Sequence, residues 1–173
     1  MLEAANAQGV YHVVCVGPDG TEKWRDHIDN VVATAGKNLA FGTIFTGAAY
    51  TVTGPFMGLI SSTSFTAVAA TDTMTSHSGW LEAGSANTPT YSGTRPTCVF
   101  SAASGGAISL SAALAFTMTG SGTVEGCFII YGSGATSAIG NTGGTIWSAG
   151  LFSSGSKTVN SGDLINVSYT ASM

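Results

Sequence analysis

The stretch Ala107–Tyr131, AISLSAALAFTMTGSGTVEGCFIIY, limits the possible folds more than any other part of the chain. Its first half alternates. Ile108, Leu110, Ala112, Leu114, Phe116 and Met118 fall on one face, and Ser109, Ser111, Ala113, Ala115 and Thr117 on the other. Side chains on a strand change face at every residue, so the pattern predicts one long strand with a single face in a core. Gly120-Ser121-Gly122 then supplies residues that tolerate positive φ, as a tight reversal requires. Beyond it Val124, Phe128 and Ile130 share one face, and Cys127, Ile129 and Tyr131 the other. A return strand that is apolar on both sides belongs in the middle of a sheet or beneath a second layer. The expectation is a central antiparallel hairpin with the remaining strands laid around it.

Further strands are expected on either side. Val10–Val16 (VYHVVCV) and Thr21–Ile28 (TEKWRDHI) flank the turn Gly17-Pro18-Asp19-Gly20, in which Pro fixes φ and Gly accepts the left-handed position. If Tyr11, Val13 and Cys15 face inward, His12 points out. Trp24 anchors the second strand, whose mixed charges suit an edge. Thr34 is placed as the cap of a short helix through Phe45, with Leu39 and Phe45 inward, although Gly36 and Gly42 weaken it. Pro55–Ile60 reads as a buried strand. Asp72 is placed to cap a single turn, and Trp80 plugs the core after it. Asn87–Gly93 is a loop, Pro96 keeps Arg95 extended, and Thr97–Ser101 is a strand. Gly132–Gly144 is a long connection. Thr145–Phe152 and Leu164–Thr170 complete the set, with Ile165, Val167 and Tyr169 on one face. About eight short strands and one or two short helices make this an all-β chain, an antiparallel β-sandwich or jelly roll. Residues 1–9 are expected to be a flexible leader and residues 10–173 a single domain.

Only 8% of the 173 residues are charged, against about 25% in a typical soluble domain. Mean hydropathy is +0.31, yet no run approaches the roughly 18 apolar residues of a membrane helix. Such a chain has weak colloidal protection as a lone monomer, and burying surface in an assembly relieves that. A net charge of −4, with Lys23, Arg25, Lys37, Arg95 and Lys157 scattered, argues against a nucleic-acid partner. Cys15, Cys98 and Cys127 are odd in number and far apart, as suits reduced, buried thiols in a cytoplasmic product. The first residues lack the basic region and apolar core of a signal peptide.

Catalytic and metal motifs are not found. His12, His27 and His77 show no ligand spacing, and no C-x-x-C pair occurs. There is no G-x-S-x-G elbow, and Gly120–Gly126 does not open a helix as a phosphate loop does. Asp72, Glu82, Glu125 and Asp163 are too scattered to argue a glycosidase pair. The expectation is a binding protein with no cofactor and no metal, not an enzyme.

The segments SFTAVAATDTMTSHSGWLE (64–82), YSGTRP (91–96), GTVEGCF (122–128), TIWSAGLF (145–152) and VNSGDLINVSYT (159–170) resemble small virion proteins of tailed bacteriophages. They are similar to the capsid cement, or head-decoration, class of jelly-roll modules. The similarity covers most of the chain after Val10, whereas Cys98, Cys127 and residues 1–9 depart from the pattern. The resemblance implies a place on the capsid surface after synthesis in the bacterial cytoplasm. It also implies two partners, the major capsid protein and a second copy of the chain. On this reading the charged hairpin, with Tyr11, Lys23, Trp24 and Arg25, forms the contact, since Trp and Arg often dominate interfaces. The alternatives are a tail or fibre component, and a lectin-like module using Tyr50, Trp80 and Tyr91.

Overall fold

The computed structural model of the chain describes residues 7–50 and 53–173, and over them the protein is an antiparallel β-sandwich with one helix. In the first sheet β2 (Glu22–Asp29) pairs with β1 (Gln8–Val16), and β1 with β11 (Leu164–Ser172). The far edge of β11 carries β6 (Ala107–Ser109) and β7 (Leu114–Thr117) one after the other. The second sheet runs β3 (Val31–Val32), β9 (Thr145–Leu151), β8 (Gly122–Tyr131), β4 (Phe56–Ser61), β5 (Leu81–Glu82), and β10 (Lys157–Val159) also pairs with β8. The helix α1 (Thr34–Thr46) follows β3.

Local pattern explains the long strands. Tyr11, Val13 and Cys15 of β1 are buried while His12 is exposed, and on β11 Ile165, Val167, Tyr169 and Ala171 are buried. The turn between β1 and β2 closes as expected, with Gly20 at φ +79° and its N–H donating to Gly17 O at 2.9 Å. These inward rows meet Met57 and Leu59 of β4 and Cys127 and Ile129 of β8 to form the core between the sheets. A second core lies on the outer side of the second sheet. There Phe128 and Ile130 of β8, Ile60 of β4 and Ile146 of β9 are covered by Met74, Trp80 and Ala135 from the long connections. β8 is therefore apolar on both faces because each face is covered.

The central hairpin does not form. Leu114–Thr117 belongs to the first sheet and Gly122–Tyr131 to the second, so Gly120–Gly122 is a crossover between layers. Alternation reports that one face is buried, and both sheets of a sandwich bury a face against the same core. The long first strand is also interrupted at 111–113, which splits it into β6 and β7. On β8, Ile60 pairs with Gly126 and Ser61 with Val124, leaving Glu125 as the extra residue of a bulge. That reverses the parity, so Val124 faces the inter-sheet core and Phe128 and Ile130 face the outer one.

Smaller expectations change too. The N-cap of α1 is Ala33, without a side-chain cap, and Thr34 is the first helical residue. Phe45 points to solvent instead of inward. Gly36 is where α1 crosses β9, since a Cβ there would sit 2.9 Å from Ile146 O. Asp72 caps no helix; it accepts from Ala69 N and Trp80 Nε1. Thr97–Ser101 makes only isolated bridges, Thr97 to Phe56 and Phe100 to Leu110. The eleven strands among the described residues exceed the roughly eight expected because β3, β5, β6 and β10 are pieces of two or three residues. Of the expected leader, residues 1–6 lie outside the described residues, and Gln8 and Gly9 already belong to β1.

Candidate functional site

One end of the sandwich is left open, and α1 lies along that opening. Leu39, Ala40, Thr43 and Ile44 of the helix face Ile108, Tyr169 and Ala171 of the first sheet and Ile129, Tyr131 and Trp147 of the second. Tyr50, Pro55 and Phe100 complete a groove of about 340 Å³. Its polar atoms are turned on one another. Trp147 Nε1 and Asn30 Nδ2 both donate to Tyr169 Oη, at 2.8 and 2.9 Å, and Tyr131 Oη donates to Gly36 O at 3.1 Å. What remains facing the groove is mostly carbon, with no charged residue among the described residues of its lining.

The outer side of α1 continues this apolar surface. Phe41, Ile44 and Phe45 are 58%, 62% and 76% exposed, and the Phe41 and Phe45 rings lie 5.9 Å apart. Lys37 is the one charged residue of the helix. A short helix with an exposed aromatic pair gains little from its own propensity; its hold on the fold is the contact at Gly36 and Leu39.

Among the described residues lining the groove, the titratable groups are tyrosines. Burial, and then the neighbouring Tyr50, push the Tyr131 phenol up to about 12, and burial raises Tyr169. Both stay protonated at neutral pH. Elsewhere Asp26, Ser153 and His27 adjoin, but in the wrong order for a hydrolase. Ser153 Oγ donates directly to Asp26 Oδ1 at 2.5 Å, and His27 Nδ1 is 3.8 Å from Asp26 instead of standing between the two. No group of three or more metal-ligating side chains gathers among the described residues. His77 is stacked on Trp80 with its Nδ1 at Trp80 O.

The four hairpin residues read as an interface do not form one patch. Tyr11 is fully buried, with its Oη 2.5 Å from Ser148 Oγ in the opposite sheet. Lys23 Nζ donates to the buried Asp163 at 2.6 Å. Trp24 lays an edge on Phe152 and donates from Nε1 to Thr158 O at 3.1 Å. Arg25 is exposed and held by Glu22. Of the three aromatic residues considered for sugar stacking, Trp80 and Tyr91 are buried, and Tyr50 lines the groove.

No structural role was expected for Arg95, read as one of five scattered cations and as the residue before a proline. The side chain is buried and forked onto Glu82, with Nε and Nη2 each 2.6 Å from a carboxylate oxygen. Nη1 and Nη2 also donate to Thr136 O and Asn141 O, and Gly140 N donates to Glu82. This pair pins the two long connections to the outer core. The signal was present, since an isolated Arg and Glu in so uncharged a chain invite pairing.

No helix among the described residues is long and apolar enough to cross a membrane. No protein-family model, curated protein or solved structure matches this chain.

Proposed function

We propose that the protein is a non-enzymatic structural component of a bacteriophage particle, a cement protein that binds the outer surface of the head and bridges capsid subunits. The observation that carries this reading is the unpartnered apolar surface of α1, Phe41, Ile44 and Phe45, beside an uncharged groove. Contiguous apolar surface on a soluble protein marks a contact with another macromolecule. The likeness of its segments to phage virion proteins supports the choice of partner.

A shell under outward pressure is stabilised by anything that binds the assembled lattice better than free subunits. Many copies of a modest interface suffice, because each acts in parallel. On this reading α1 meets the major capsid protein. The test is occupancy on purified heads stripped of the protein. Phe41→Asp with Phe45→Asp should abolish rebinding while circular dichroism and the melting transition stay as in the parent. Rebinding at parental occupancy would remove α1 from the contact. Imaging the particle separates this role from that of a tail or fibre component.

A further inference from the structure

We infer that His12 and His27 form a two-nitrogen site for a divalent late transition-metal ion, Cu2+ above all, on the open face of the first sheet. His12 and His27 are directly opposite in the β1–β2 register. Asn30 N donates to Gly9 O at 3.0 Å, which fixes the Gly9–Asn30 position as hydrogen-bonded; counting along the ladder, His12–His27 is a non-hydrogen-bonded pair. The backbone agrees, because His27 O turns away from β1 to accept from Ser153 N at 3.0 Å. At such positions the Cα atoms approach to about 4.5 Å and the side chains stand side by side on one face. Both imidazoles are exposed, and a recess of about 350 Å³ lined by them with Val13, Val14, Arg25 and Asp26 leaves space for an ion and its waters, the Asp26 carboxylate being taken up by Ser153, Ser154 and Lys157.

One imidazole is already oriented. Ser153 gives its hydroxyl proton to Asp26, so its oxygen is free to accept from His27 Nδ1, 3.3 Å away. That places the ring proton on Nδ1 and the lone pair on Nε2, the arrangement in which a ligating histidine is held by an outer partner. Arg25, the cation on this face, is neutralised by Glu22. With two imidazoles and no third protein ligand grouped with them, water fills the remaining positions. Two nitrogens with open tetragonal positions suit Cu2+, followed by Ni2+ and Zn2+ in the usual affinity order.

The experiment is a Cu2+ titration of the full chain, followed by calorimetry and by electron paramagnetic resonance. The parent should show one site with two equatorial nitrogens. His12→Ala and His27→Ala should each weaken it at least about tenfold, since a single imidazole then holds the ion by one bond, and the double variant should bind more weakly than either. His77→Ala should bind as the parent does. His12 and His27 are exposed on the sheet face, and unchanged metal-free melting curves confirm that their variants are folded; His77→Ala, which loses the stack on Trp80, is compared below its own melting transition. No binding by the parent, or parental affinity in either His12→Ala or His27→Ala, overturns the assignment.

Discussion

Arg95 and Glu82 carry opposite charges inside a chain that has few of either. Breaking a buried pair by removing one partner leaves the other charge uncompensated, which costs about 3–5 kcal/mol. Arg95→Met and Glu82→Gln should each lower stability by about that amount in urea unfolding, the second because the guanidinium keeps its charge and an amide offers one accepting oxygen where the carboxylate offered two. Asp26 acts through pH. Burial pushes its carboxyl up, but hydrogen bonds from Ser153, Ser154, Lys157 and the His27 N–H prevail and hold it well below the usual carboxylate range. A group depressed in the folded state stabilises at pH values above its unfolded pKa of about 3.9, and loses that contribution as pH falls through the folded value. Melting temperature should thus drop on acidification below about pH 4, and Asp26→Asn should flatten that drop. The thiols behave in the opposite way. Burial raises Cys15 to about 11, with Asp163 adding to it, and Cys98 to about 12, and it raises Cys127 as well. At pH 8 none of the three should react with a disulfide reagent until the protein is unfolded, when all three titrate.

At the scale of elements, β8 and β9 leave no room for a side chain where Gly126 meets Gly150. A Cβ on Gly126 would fall 1.8 Å from Gly150 O, so no side chain fits at that crossing. Gly126→Ala should cost about 3 kcal/mol or more by forcing the two strands apart, read as a lower urea midpoint. The helix behaves differently. Phe45→Asp touches an exposed ring and should change stability by no more than about 0.5 kcal/mol. The sequence spoke most clearly where neighbours in the chain are neighbours in the fold. Tyr11, Val13 and Cys15 with Gly17–Gly20 announced the first hairpin, and the doubly apolar β8 announced its two covers. It was silent where a choice between sheets had to be made, since Phe116 and Ile129 bury against one core from opposite layers. The inward placement of Phe45 failed because a helix pattern of Leu39, Phe41, Ile44 and Phe45 covers more than one face, and only packing selects which. The groove beside α1 was illegible for the same reason: its walls come from six separate segments. The pairing of His12 with His27 needed the strand register, which no spacing in the chain supplies.

For the molecule as a whole, the central strand of the first sheet is β11, clasped by β1 on one side and by β6 and β7 on the other. Nine positions of β1 find their partners only across more than 145 residues of intervening chain. A ribosome thus releases β1 long before anything exists for its free edge to bind except β2. The first sheet is assembled last, after synthesis has passed Leu164, and a nascent chain halted short of that point is left with an unpaired, apolar ribbon. Non-local closure of this kind is slow, on the order of milliseconds to seconds in all-β domains, and until it happens the inward row of β1 has no opposite strand but β2.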